Sequence, residues 1–167
     1  MIYTGIGSQE TPPDILDRMT SVGRYMASWG HILRSGGARG ADSAFELGCT
    51  NKNGKMEIYL PYQFFNKNES PFFGSTKESR ILASHFHPNW SNLGCVGRDF
   101  MARNAYQVLG LDLKTPTDFI VCWTPNGKIK GSTGQALRMA KHYKIPVFNF
   151  GSMSIEEVGD AIENIIL

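Results

Sequence analysis

The chain is poor in cysteine, in net charge and in long apolar runs, and each shortage removes a class of protein. Its three cysteines, Cys49, Cys95 and Cys122, are an odd set without framework spacing, so no disulfide scaffold is expected and reduced thiols point to a cytoplasmic location. His85, His87 and Cys95 offer donors without a fourth ligand, whereas zinc sites pair their ligands more tightly. No metal ligand and no cofactor is therefore assigned. The formal charge is only +2, and non-specific nucleic-acid binding needs clustered Lys and Arg that neutralise several phosphates together. A coat protein for DNA or RNA is not expected, although a local basic groove stays open. No apolar run approaches the roughly 20 residues of a membrane span, and Met1 leads directly into a strand pattern instead of a signal-like segment. No membrane partner is expected.

What is present suits one globular domain over residues 1–167: hydrophobic residues make up 41% and charged residues 19%, enough to bury a core without staples. The organising stretch runs from Leu33 to Glu46, Leu-Arg-Ser-Gly-Gly-Ala-Arg-Gly-Ala-Asp-Ser-Ala-Phe-Glu. A short apolar strand precedes it and good helix formers follow, which puts Ser35, Gly36, Gly37 and Gly40 on a strand-to-helix turn. Glycines there let a ligand come close to the backbone, the free N–H groups of the following helix suit an anion, and Arg39 adds a forked donor for phosphate oxygens. The same features would equally serve a tight structural turn with Arg39 in water.

Two more turns of this kind follow strands. Met1 to Thr4 ends in Gly5-Ile6-Gly7-Ser8, after which Thr11 and Pro12 read as the cap and first residue of a helix. Ile15, Met19, Val22, Met26 and Trp29 recur at three- and four-residue spacing on that helix, and Gly30 stops it. Thr117 to Trp123 is the most continuous apolar strand, as expected of a doubly covered position, and it runs through Thr124 into Gly131-Ser132-Thr133-Gly134-Gln135 and a helix over Ala136–His142. Between them, Met56–Pro61 reads as a strand and Tyr62–Gly74, with five aromatics, as a long loop over the sheet edge of the kind that often binds. Ser75–His85 and Gly97–Leu109 read as helices, the second carrying Arg98, Arg103 and Asn104. Ile145–Phe148 is a last strand, and Ser154-x-x-Glu157 matches a capping box.

Strands alternating with helices predict a doubly wound parallel sheet of about five strands with helices on both faces. All three glycine turns should then share the carboxyl edge of the sheet, where ligands bind at the reversal of strand order. Trp123 and the aromatics of Tyr62–Phe73 could stack on a base, the turns could hold phosphates together with Arg39, Arg98, Arg103, Lys128 and Lys130, and Asp42 or Gln135 could meet a ribose hydroxyl.

The run Ser35 to Asp42 resembles the Ser-Gly-Gly-Ala-Arg-Gly-x-Asp motif of the DNA-processing protein A (Smf) family, and Arg103-Asn104 is similar to its later Arg-Asn pair. Gly131-Ser132-Thr133-Gly134 resembles the glycine loop shared with the Lonely Guy phosphoribohydrolases. Together these resemble the SLOG superfamily of Rossmann-like proteins, from the first strand to Phe148. The resemblance implies a phosphate-suited pocket and a chain that often pairs with its own copies, with the Gly97–Leu109 helix as the expected contact. It does not select one activity, because members bind single-stranded DNA, cleave nucleotide N-glycosidic bonds or sense nucleotide-derived signals. Lonely Guy enzymes carry Pro-Gly-Gly-x-Gly-Thr-x-x-Glu, and aligning Gly134 puts Arg138 where that glutamate stands. Guanidinium stays protonated and cannot replace a carboxylate in acid–base work; Asp42 and Glu46 remain as catalytic candidates, although Asp42 would equally serve to hold the glycine turn through backbone amides. The expected function is binding of a nucleotide or nucleotide-derived small molecule, mononucleotide or ADP-ribose-like. Single-stranded DNA binding and N-glycosidic hydrolysis stand as alternatives.

Overall fold

The structure, a computed structural model, describes residues 1–167. Its elements in chain order are β1 (Ile2–Gly5), α1 (Pro13–Ser28), β2 (Ile32–Ser35), α2 (Ala41–Thr50), β3 (Met56–Leu60), β4 (Phe72–Phe73), α3 (Lys77–Phe86), α4 (Cys95–Leu109), β5 (Phe119–Cys122), α5 (Gly131–His142), β6 (Val147–Asn149) and α6 (Ile155–Ile166). The strands form one parallel sheet in the order β4-β3-β2-β1-β5-β6. The chain builds outward from β1 in one direction, returns across it, and builds outward in the other. This is the doubly wound α/β arrangement, and its order reverses between β1 and β5.

Helices cover both faces. On one, Met19 and Met26 of α1, Phe45 of α2 and Val158 and Ile162 of α6 pack with Tyr3, Leu33 and Phe119 from the sheet. On the other, Ala105, Val108 and Leu109 of α4 pack with Ala136, Met139 and Ala140 of α5 and with Ile120 and Cys122. The four residues of β5 are all buried, which explains the unbroken apolar run over them.

Several sequence expectations are corrected in detail. The sheet has six strands, because Phe72 and Phe73 inside the Tyr62–Gly74 segment pair with Tyr59 and Leu60, and the Gly74 N–H continues the ladder to the Leu60 carbonyl at 3.0 Å. Two residues are too few to show an alternating pattern. Pro12, not Thr11, is the cap of α1, whose first residue is Pro13; the Thr11 hydroxyl instead donates to the Ser8 carbonyl. Gly30 does end α1, at φ 77°, with its N–H on the Ala27 carbonyl. Ser154 and Glu157 cap α6 reciprocally, at 2.7 and 3.0 Å. From Met101 to Leu109, α4 is buried within the chain's own fold, so only its first turns are open to a partner and the helix as a whole cannot be a subunit contact. No helix is long and apolar enough to cross a membrane.

Candidate functional site

At the carboxyl edge of the sheet, where strand order reverses, a cavity of about 490 Å³ opens. Its walls come from the turn after β1 (Gly7 and Ser8), from Ala38 and Asp42 at the start of α2, from Phe100, Arg103, Asn104 and Gln107 of α4, and from Thr124 and the segment Lys130–Thr133. The turns around residues 7 and 38 and the first turn of α5 around Ser132 therefore share one mouth; Gly131–Gln135, expected as a turn before a helix over Ala136–His142, is itself helical. Only three lining residues are hydrophobic, so the wall mixes polar groups with the carbon atoms of polar side chains and backbone.

Arg103 and Asn104 hold two of the bends together. The Arg103 Nε donates to Asn104 Oδ1 at 3.1 Å and its Nη1 donates to the Gly36 carbonyl. Asn104 Nδ2 donates to the Ser132 carbonyl at 2.7 Å and to Ser132 Oγ at 3.2 Å. A consecutive pair on one helix thus ties the central glycine turn to the start of α5. Arg103 is 3% exposed, its guanidinium carbon lies 5.4 Å from the Phe100 ring centroid, and Nη2 is its uncommitted donor. Burial lowers its pKa, an effect that the nearby Asp42 opposes.

In the central turn Asp42 takes the structural role that the sequence also allowed, holding the bend through backbone amides. Asp42 reaches back across the N-terminus of its own helix and accepts the Ala38 N–H at 3.2 Å, and the backbone amides of Gly36 and Gly7 also favour its ionised form. The protein's own carboxylate thus fills the anion-attracting bend. Burial still outweighs Arg103 and those amides and lifts Asp42 to about 6. One helical turn on, Glu46 is lifted to about 7, mainly by burial, with the Asn68 amide opposing and the Asp42 charge adding to the rise. Asn68 Nδ2 contacts both Glu46 oxygens, at 3.1 and 3.3 Å.

The start of α5 is different. Lys130 occupies its cap position without a capping side chain, and the first backbone bond of the helix is from Gly134 N–H to the Lys130 carbonyl. The N–H groups of Gly131, Ser132 and Thr133 are therefore left over at the cavity wall, with the positive end of a helix of 12 residues behind them. These unpaired N–H groups suit an anion, and Lys130 also lines the cavity. Glu10 on the opposite rim keeps the wall from being strongly cationic.

Of the residues expected to contact a ligand, Gly7, Ser8, Asp42, Arg103, Asn104, Thr124, Gly131, Ser132 and Thr133 line the cavity. The others support it or lie elsewhere. A Cβ on Gly5 would stand 2.5 Å from the Phe45 ring, so that glycine serves packing. Ser35 is buried and donates to the Gly5 carbonyl at 2.6 Å. Gly36 and Gly37 are buried, the latter at φ 70° against Leu60, and Gly40 caps α2. Arg39 is exposed and turns to Asn66 at 3.3 Å. Trp123 packs against the core beneath β5. Gly134 is buried, and Gln135 is fully buried with its amide on the Ala83 carbonyl at 2.9 Å, so it meets no ribose. Arg98 lines a separate groove with Trp90. Phe100 and Gln107 are lining residues the sequence does not announce, since an aromatic and an amide on an amphipathic helix read as core and surface. The aromatics of Tyr62 and Phe65 reach the site only through the Phe100 ring, at 6.3 and 5.3 Å.

No protein-family model matches the sequence, and no curated protein matches it. Among solved structures, the fold is similar to the molybdenum cofactor carrier protein of Chlamydomonas reinhardtii (TM-score 0.62, 16% identity, 99% of this chain and 96% of that one). It is also similar to DNA processing protein A of Helicobacter pylori (0.62, 17%, 99% and 80%) and to the structural-genomics target TM1055 (0.58, 16%, 98% and 98%). At these identities, what the chain shares with them is the doubly wound fold.

Proposed function

We propose that the chain binds a nucleotide or nucleotide-derived small molecule in the cavity at the sheet's carboxyl edge, as a SLOG-like binding protein. The observation that carries this reading is the uncapped start of α5, whose three leftover N–H groups face the same cavity as the Asp42 carboxyl and the Phe100 ring. A phosphate sits on Gly131–Thr133 beside Lys130, a sugar hydroxyl donates to Asp42, and a planar base lies toward Phe100. Charge-assisted bonds of this kind contribute about 1.5–3 kcal/mol each, and a few of them support micromolar affinity, about 8 kcal/mol. Two proteins of the same fold carry, by their names, a small cofactor and single-stranded DNA, which supports ligand handling at this fold without selecting the ligand.

The test is to denature protein purified from cells, identify released small molecules by mass spectrometry, and titrate the protein with AMP and ADP-ribose. Ser132→Asp places a carboxylate in the phosphate position and should abolish the binding. Tight oligonucleotide binding that weakens steeply with salt, with no response to mononucleotide, would assign the cavity to single-stranded DNA instead. A hydrolytic reading has one observation in its favour: Asp42, lifted to about 6, is a wall residue able to exchange a proton near neutral pH. Release of free base from nucleotides, lost in Asp42→Asn, would establish it.

A further inference from the structure

Arg98 belongs to no part of the cavity, and its surroundings are informative. It lies with Lys77, Arg80 and Trp90 along an open groove of about 530 Å³ between the first turns of α3 and the segment before α4. Three cationic side chains and no acidic one line the groove, with one of the cations, Arg80, ion-paired to Asp99, in a chain whose formal charge is only +2. Glu78, on the first turn of α3, is not among its lining residues.

The cations are held in place with donors to spare. Arg98 stacks its guanidinium over the Trp90 ring, 5.3 Å from the centroid, and its Nη2 donates to the Trp90 carbonyl at 3.3 Å. Its Nε is buried without a partner and Nη1 is uncommitted. Arg80 is fixed by Ser75 Oγ at 2.9 Å and Asp99 at 2.6 Å, which leaves its own Nη1 free. Lys77, the first residue of α3, is exposed. Each guanidinium keeps its Nη1 to donate, and with the Lys77 ammonium that makes three cationic donors, a number that matches the three oxygens of a phosphate better than the two of a carboxylate. A stacked aromatic fixes the fork and lowers the entropy lost when the anion binds.

We propose that this groove is a second ligand site, separate from the cavity, that takes a phosphate group on Arg80, Arg98 and Lys77. The phosphate belongs either to a phosphate-ended small molecule or to the phosphodiester backbone of a nucleic acid.

The experiment uses the full chain carrying Ser132→Asp, so that the cavity is closed to anions, and follows calorimetric titration with inorganic pyrophosphate and with a short oligothymidylate. Binding should persist in this background and weaken about tenfold or more when Arg98→Gln or Lys77→Gln is added. Lys77 is exposed, so its variant keeps the test open if Arg98→Gln does not fold. An oligonucleotide that binds more tightly than pyrophosphate, with a log–log salt slope of about 2 from three cations, makes the source a nucleic-acid backbone; equal affinities make it a phosphate-ended small molecule. Either result supports the site. Absence of binding by both probes, or binding untouched by both substitutions, overturns it. Failure of the cavity reading shows instead as no difference between the unsubstituted chain and Ser132→Asp, so the two readings fall separately.

Discussion

Asp42 of α2 and Arg103 of α4 converge on one glycine: a Cβ placed on Gly36 would stand 2.8 Å from the Asp42 Oδ2 and 2.5 Å from the Arg103 Nη1, with Gln107 Nε2 nearer still at 2.2 Å. Three polar side chains from two helices are thus fitted to the absence of a side chain between them.

Gly36→Ala should accordingly be among the most damaging small substitutions in the chain. The added methyl must displace the Arg103–Gly36 contact or the Asp42 bend, and overpacking of this kind costs about 1–3 kcal/mol. Denaturant unfolding should show a lower midpoint, and the proposed nucleotide binding should fall with it. A midpoint equal to that of the unsubstituted chain would mean the turn yields freely.

The stability of the protein should fall as pH rises across the range set by Asp42. Its carboxyl is near 3.8 when exposed and about 6 in the fold, so between those values the folded state holds a proton that the unfolded chain has released. That contribution is complete below about pH 4 and is lost as pH passes about 6, with a size of about 3 kcal/mol. Glu46, lifted to about 7, acts in the same direction. Asp42→Asn keeps an acceptor for the Ala38 N–H and removes the titration, so thermal melts of this variant from pH 4 to pH 8 should be flatter than those of the unsubstituted chain. Parallel curves would show that the burial of Asp42 is not what sets its affinity for protons.

Away from the cavity, Glu57→Ala should destabilise the sheet by about 3 kcal/mol, because it leaves a buried guanidinium without its counter-charge. Arg34 is 2% exposed; its Nε meets Glu57 Oε2 at 2.7 Å and its Nη1 meets the Thr115 carbonyl at 2.6 Å. Tyr59 also donates to Glu57, at 2.8 Å. Urea titration measures the loss, and a change below about 1 kcal/mol would class the pair with ordinary surface bridges.

The three cysteines should separate cleanly in a thiol-reagent assay. Cys49 and Cys122 are buried and Cys95 is exposed, at the first position of α4 with the Arg80 Nη2 at 3.4 Å from its sulfur. Burial lifts the Cys122 thiol to about 12 and raises that of Cys49. One thiol should react quickly in the native protein, and Cys95→Ser should remove it.

Much of the architecture was legible because it is written in periodicities that burial enforces. The spacing from Ile15 to Met26, the apolar run of β5 and the Ser154–Glu157 box all correspond to real elements, whereas Trp29 lies past the helix and is exposed; the three glycine segments do share a cavity, the third as the first turn of α5. What the sequence hides is which way a side chain turns. Asp42 reads either as a catalytic carboxylate or as the brace of a glycine turn, and the fold selects the brace, while the N–H groups of Gly131–Thr133 are left without a helical partner. Gln135 follows the third glycine turn yet faces the core, because residues one apart on a helix lie about 100° apart. Arg98 and Arg103 share α4 but are five positions apart, so they open onto different depressions. Phe100 declares itself only when its neighbours across the chain are known.

The central place of β1 bears on how the chain is made. Tyr3 and Thr4 pair on one side with Leu33 and Arg34 and on the other with Phe119 and Ile120, so β1 keeps its second edge exposed during synthesis until the residues of β5 have been made. Until then its open hydrogen-bonding groups invite pairing with other nascent chains. A C-terminal truncation that removes Phe119–Cys122 should therefore yield aggregates instead of a smaller folded unit.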